Sequence, residues 1–292
     1  MSDNNVVRTA LLGCFFLALS CTPAALVHAS EAPQLKTAST HPIQYYLSLP
    51  EGWTRAKKWP VVVVIESADR DFFHAATVFA QARRQRPFIL ITPLVVTNGG
   101  AGYRNVPTYH YSDAVWATVQ NSGPFNFDVG GITAIMEDVS KQYGGEDKYF
   151  IAGLEAAGHT IWGILFNHPE AVRGAALVCP NYLGRWVDEE HISPAAERIA
   201  LPIRNFVGNK DDLCAPGQPI YAQMQKATSL AEAHGYKNVS LRASKAKDTN
   251  ALLMRCLLTF RHCCNGDAAR CQRLLDSTQN ARLVCISLPA LT

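Results

Sequence analysis

A doubly wound, mostly parallel α/β sheet in a single domain is the architecture this sequence predicts. The runs "PVVVVIE" at 60–66 and "FILITPL" at 88–94 have the unbroken apolar, β-branched character of strands buried on both faces. Strand-like and helix-like segments then alternate along the chain, the order that builds a parallel sheet covered by helices on both sides. With 292 residues and 48% hydrophobic composition, the chain supplies one sizeable core more readily than two small ones.

After a polar lead at 30–41, "IQYYLSLP" is the opening strand and "EGW" its turn. The first β-branched run follows, and then "FFHAATVFAQARRQ", whose apolar spacing is helical. The second buried strand leads into a loop at 95–124 rich in Gly, Asn and Tyr, and loops of that length in compact domains usually serve function or motion. "DVGGITAIMEDVSKQYGG" is an amphipathic helix closed by glycine. Strand "KYFIAG", helix "AAGHTIWGILFNH", strands "GAALVC" and "IRNFVG", helix "IYAQMQKATSLAEAHG" and strand "NVSLRA" complete the alternation. No internal repeat or linker interrupts 42–247, and ligands are expected at the carboxyl ends of the strands.

The formal charge of +3 is spread along the chain, with basic clusters only at "RAKK" and "ARRQR"; no nucleic-acid footprint is expected. Residues 1–29, with Arg8, the apolar stretch Ala10 to Cys21 and "VHA" before Ser30, have the layout of a signal peptide, so a secreted or periplasmic protein is expected. Cleavage ahead of Cys21 as a lipoprotein is the alternative. No later run approaches the ~20 apolar residues of a membrane span. Export makes pairing among the 9 cysteines relevant. Cys179 and Cys214 each follow a predicted strand and could bridge, whereas Cys256, Cys263, Cys264, Cys271 and Cys285 crowd the tail without recognisable metal-ligand spacing.

The segment "FIAGLEAAGHTIW" at 150–162 has the form of a strand, a tight turn and a helix. With "YYLSLPEGW", "PVVVVIES" and "FVGNKDDL" in the same order, it resembles the α/β-hydrolase superfamily, specifically secreted esterases of the polyhydroxybutyrate depolymerase, feruloyl esterase and esterase D type. The resemblance runs from about Gln44 to Arg242 and implies a sheet of about eight strands. It also implies a nucleophile presented by G-x-S-x-G on a strained turn. Here Gly153 matches the first glycine, Glu155 stands at the serine position and Ala157 at the last glycine. Without a hydroxyl or thiol at 155, the usual acyl-enzyme is unavailable. The helix macrodipole is expected to favour the Glu155 anion. As a base toward water, as a nucleophile at an alkyl centre, or as the residue of a retired site, Glu155 remains the centre of interest.

The resemblance further implies Asp211 as the acid member, from "GNKD", with Asp212 as fallback, and amides near Ser67 and Ala156 as oxyanion donors. Glu66 and Ser67 stand where relatives often carry His and Gly, and adjacent strands lie about 4.8 Å apart, so Glu66 and Glu155 are expected to share a site. They would be coupled unless Arg70, Arg104 or a cation intervenes. An Arg-paired or solvated acidic cluster is preferred to a Ca²⁺ site; neither a resident metal nor a cofactor is called for. His159, inside the helix after the turn, is expected to pack or cap.

The family's Gly-His after the last strand is missing from "ASKAKDTNALLMRCLLTF", and His262 comes too late. Back-translating Asp248 to Phe260 with permitted codons and reading two nucleotides further on gives, as one output, His-Glu-Cys-Pro-Ala-Asp-Ala-Val-Leu-Ala-Tyr-Phe, with a glycine available before it. That string resembles the family's histidine loop, so 248–292 is a divergent segment that a frameshift would explain. A genuine closing helix is the competing reading, with Leu252, Leu253, Cys256, Leu257 and Phe260 as its apolar face. Two functions follow. The first is an exported esterase-like protein with an altered site and no serine-type turnover, acting on a small-molecule ester. The second is a non-catalytic binder of a sugar, polyol or aromatic acid, a carbohydrate-like ligand stacked on Trp116, Trp186, Tyr103, Tyr109 or Tyr111, with Trp162 assigned to the core.

Overall fold

The computed structural model describes residues 32–83, 86–98 and 108–244. The amino-terminal segment 1–29 and the tail 248–292 fall outside them, and so do the expectations placed there. Eight strands form one sheet in the order β1-β2-β4-β3-β5-β6-β7-β8. They are β1 (Gln34–Thr37), β2 (Gln44–Ser48), β3 (Trp59–Ile65), β4 (Ile89–Pro93), β5 (Gly145–Leu154), β6 (Val172–Val178), β7 (Ile203–Gly208) and β8 (Val239–Ser244). β1 and β2 are antiparallel, and the pairings from β4 through β8 are all parallel. Among the described residues five α-helices accompany them: α1 (Phe72–Arg83), α2 (Asp113–Ser122), α3 (Pro124–Tyr143), α4 (Ala157–Asn167) and α5 (Pro219–Ala233).

The β-branched run of β3 forms a strand because every residue in it is buried and its alternate side chains enter two different cores. Val61, Val63 and Ile65 join the cluster containing Phe127, Ile132, Ile135, Ile161 and Trp162 of α3 and α4. Val62 and Val64 join Phe79 and Ala80 of α1 and Met224 of α5. Burial on both faces explains why the run shows no polar alternation.

Two segments differ from the sequence expectation. The polar lead contains β1, paired to β2 from Gln34↔Leu47 to Thr37↔Gln44; its exposed side chains hid a strand stabilised mainly by its ladder. The expected loop at 95–124 contains α2, which Ser112 caps by accepting the Val115 amide and which buries only Trp116 and Val119. Two apolar contacts are too few to stand out as a periodic face. Immediately after it, α3 begins at Pro124, four residues before the expected start, with proline at its first position, where no amide hydrogen is required.

Parallel pairing aligns the carboxyl ends of the central strands. Ile65 pairs with Gly153, Leu154 with Val178, and Val178 with Phe206. The residues immediately following β3, β5, β6 and β7 therefore emerge along one edge of the sheet.

Candidate active site

Glu155 occupies the turn between β5 and α4 with φ 48°, the left-handed region that costs a non-glycine residue about 1–2 kcal/mol. Its backbone is fixed at three points: its amide donates to Val178 O, and its carbonyl accepts from the amides of Gly158 and Asn181, each at 2.9 Å. Gly153 makes the turn feasible, since a Cβ there would lie 2.6 Å from the Ala157 Cβ and 2.8 Å from Ile65 O. Gly158 is equally constrained, because a Cβ would meet the backbone of Asn181 at 2.6 Å. The methyl of Ala157 thus fills space that Gly153 leaves open. Ala156 precedes the first residue of α4, its own backbone already helical at φ −59°, ψ −25°.

The Glu155 carboxyl is pushed above the ordinary glutamate range by burial, and then by Asp69 and Asp211. Desolvation and the two neighbouring acids thus work against the expected pull of the macrodipole. Asp211 belongs to the turn after β7, where its Oδ1 accepts the amides of Leu213 at 2.9 Å and Cys214 at 3.1 Å. Asp212 is exposed. Of the two, Asp211 is the acid that acts on Glu155.

Glu66 is buried at the end of β3, and burial raises its carboxyl to about 7, with Asp69 and Asp71 adding to the effect and the amides of Ser67 and Asp71 opposing it. Glu66 and Glu155, expected to share a site, have a common neighbour in exposed Asp69, which acts on both. Neither Arg70 nor another described cation figures among the charges shifting them; Arg104 is outside the described residues. The Ser67 amide hydrogen-bonds the Glu66 carboxyl, so it is already engaged. Asp69 escaped sequence reasoning, although the acid-rich "ADRD" directly after a buried strand was the available signal.

A buried polar chain supports this edge from below. Asp128 on α3, fully buried, accepts the Val96 and Thr97 amides and also meets the Thr97 hydroxyl. Thr97 Oγ1 lies 2.6 Å from Thr160 Oγ1 on α4, Thr160 donates to Asn98 Oδ1 at 2.7 Å, and Asn98 Nδ2 donates to Glu66 O. Thr160 spends its hydrogen on Asn98, while the Thr97 hydroxyl and the Val96 and Thr97 amides all favour the Asp128 anion. Burial outweighs these donors and raises Asp128 to about 7. None of these four residues was singled out in the sequence; a lone Asp in the apolar stretch "FNFDVGGITAI" was the only hint.

Cys179 and Cys214 form a disulfide, Cα–Cα 5.6 Å, joining the end of β6 to the Asp211 turn. Cys179 also has positive φ, at 47°. His159 is buried in α4, with Nδ1 lacking a hydrogen-bond partner, and burial with Arg185 lowers its imidazole to about 4; it packs as a neutral ring. The proposed stacking surface is spent internally. Tyr109, Tyr111 and Trp116 pack against one another with centroids 5.5–5.7 Å apart, and the two tyrosine hydroxyls donate to Val95 O and Leu94 O. Trp162 is fully buried as expected, Trp186 stacks on Phe125, and Tyr103 is outside the described residues. Among the described residues no helix is long and apolar enough to cross a membrane.

No family model and no curated protein matches the sequence. Solved structures do. The chain resembles poly(aspartic acid) hydrolase-1 from Sphingomonas sp. KT-1, at 14% identity over 77% of this chain and 96% of that one, with a TM-score of 0.54. A thermophilic esterase from Thermogutta terrifontis matches at 13% identity, over 80% of this chain and 93% of that one, with a TM-score of 0.51. A thermostable esterase matches at 15% identity and a TM-score of 0.49 over 84% of this chain, which spans 62% of that protein's length. At such identities the likeness is one of fold, and a fold leaves the chemistry open.

Proposed function

We propose that this chain, whose fold is that of the α/β-hydrolases, is an exported esterase-like protein in which Glu155 replaces the hydroxyl nucleophile and serine-type turnover is absent. The observation that carries this reading is the placement of Glu155: a carboxyl held at positive φ on the turn between β5 and α4, within electrostatic reach of Asp211. Strain of that kind persists where surrounding contacts over-determine it, commonly at working sites.

A carboxyl raised above its ordinary range suits transfer of a proton to and from water better than it suits attack on an ester carbonyl, which would give a labile anhydride. Glu155 accordingly acts as a general base on a water directed at a small ester, and the Ala156 amide at the start of α4 is the donor nearest in sequence for the developing oxyanion. Asp211 keeps Glu155 basic by repulsion. The disulfide and the layout of residues 1–29 support an oxidising, exported setting. The ligand-binding alternative is less favoured, since three of the aromatic residues it called on, Trp116, Tyr109 and Tyr111, are engaged with one another.

Short-chain p-nitrophenyl esters provide the test. The expected result is slow turnover with no burst and no block by an organophosphate, falling about a hundredfold or more in Glu155→Ala, the range general-base removal commonly costs. The rate should climb with pH as Glu155 ionises and then level. An organophosphate-sensitive burst, or turnover unchanged in Glu155→Ala, overturns the proposal.

A further inference from the structure

We infer that Cys179, Cys214 and Asp211 become, once their disulfide is reduced, a binding site for one Zn²⁺ ion beside Glu155. Among the described residues this is the set of side chains that converges closely enough to hold a metal, its ligand atoms all lying within 4.8 Å of one another. The more conspicuous acids Glu66, Asp69 and Glu155 do not form such a set. Two soft sulfur donors and one carboxylate suit Zn²⁺ and disfavour Ca²⁺ or Mg²⁺, which require oxygen ligands.

The backbone holds these donors in place independently of the cross-link. Cys179 continues the β6–β7 ladder through its amide to Phe206 O at 2.9 Å, and Cys214 donates its amide to Asp211 Oδ1 at 3.1 Å. Both cysteines are buried and Asp211 is half-buried, so the thiols close the inner side of the site and the carboxylate its outer side. On a tetrahedral ion with Zn–S near 2.3 Å the two sulfurs stand about 3.8 Å apart, a separation that side-chain rotation reaches from a Cα–Cα distance of 5.6 Å. Three protein ligands leave the fourth position to water. The two acids acting on Glu155, Asp69 and Asp211, make this edge negative, and a dication answers that charge.

The chemistry balances with a phosphine as reductant. The disulfide accepts two electrons and two protons to give two thiols, and the phosphine becomes its oxide with oxygen from water. Zn²⁺ then displaces the two thiol protons as both sulfurs bind as thiolates. The inference stands whether or not Glu155 acts on esters, since Glu155 is not among the proposed ligands.

The full chain, reduced with a phosphine, is titrated with Zn²⁺ against a chromophoric chelator, and in parallel with Co²⁺ to read thiolate-to-cobalt charge transfer in the near ultraviolet. Other cysteines contribute background, so the decisive quantity is the difference between the parent and Cys179→Ser. Reduced parent should hold about one Zn²⁺ more than reduced Cys179→Ser, and oxidised parent no more than that variant. Asp211→Asn should keep charge transfer but weaken affinity by more than the roughly tenfold an outer-sphere partner is worth. Equal zinc in parent and Cys179→Ser overturns the inference, as does full binding by the oxidised parent. A readout without substitutions guards against misfolding of the variants: Zn²⁺ should slow alkylation of Cys179 and Cys214 in the reduced parent, measured by peptide mass spectrometry. Equal labelling with and without Zn²⁺ refutes the site.

Discussion

Replacing Asp128 by Asn should abolish a large part of the pH dependence of stability. Asp128 is wholly buried, and desolvation is the first cause of its raised carboxyl; Asn keeps the shape and cannot titrate. The folded acid titrates at about 7 against 3.8 for the model group, so between those values the native chain keeps a proton that the unfolded chain has released. Stability therefore falls as pH rises through this window, by up to 1.36 kcal/mol per pH unit, and levels above it. Over about three units the ceiling is ~4 kcal/mol, undiminished by solvent screening because the group is wholly buried. His159, neutral in the fold and lowered to about 4, opposes this trend on the acid side, and Glu66, raised to about 7, reinforces it. Both are common to parent and variant and cancel in the difference. Urea denaturation of the two proteins from pH 4.5 to 8.5 should show the Asp128→Asn variant gaining on the parent by about 2–4 kcal/mol before a plateau. A protonated-carboxyl stretch in the infrared spectrum of the parent at pH 6, absent from the variant, should accompany it. Parallel stability curves would refute the burial argument.

Glu155→Gly should raise stability by about 1 kcal/mol by relieving the positive φ, a gain of roughly 2–4 °C in a chain of this size, while eliminating the proposed turnover. An unchanged or lower melting temperature would count against strain at the turn. Gly158→Ala should cost about 2 kcal/mol or more in a denaturant midpoint, because its methyl meets the Asn181 backbone at 2.6 Å and overpacking against main chain is poorly relieved. Sequencing the gene across codons 247–260 should recover the glycine and histidine string two nucleotides out of frame; real codons that never yield it leave the closing-helix reading of this segment.

The carboxyl-edge arrangement was legible in sequence because it depends on local rules. Unbroken runs such as Val61–Ile65 mark strands covered on both faces, and "AGLEAAG" marks a strand, a turn and a helix whatever lies around it. Strand order then follows from parallel crossovers, so Glu66, Glu155, Cys179 and Asp211 fall along one edge with no knowledge of their side chains. Quiet segments were lost for the same reason. β1 buries almost nothing and α2 buries two residues, so neither writes a period into the sequence.

Contacts between distant segments settled the rest. The upward pull on the Glu155 carboxyl could not be read in sequence, because desolvation and the charges of Asp69 and Asp211 depend on three loops meeting in space. Tyr109, Tyr111 and Trp116 proved to be packing for the same kind of reason: a tyrosine becomes core or surface only when its hydroxyl finds, or fails to find, a carbonyl such as Val95 O. The chain from Asp128 to Glu66 crosses four elements, and each of its hydrogen bonds joins residues more than sixty or thirty positions apart. Periodicity and turn chemistry report on neighbours along the chain, and so determined the sheet, the turn and the residue presented on it. The charge that residue carries and the proton positions beneath it depend on dielectric surroundings and long-range hydrogen bonds, which exist only in the folded molecule.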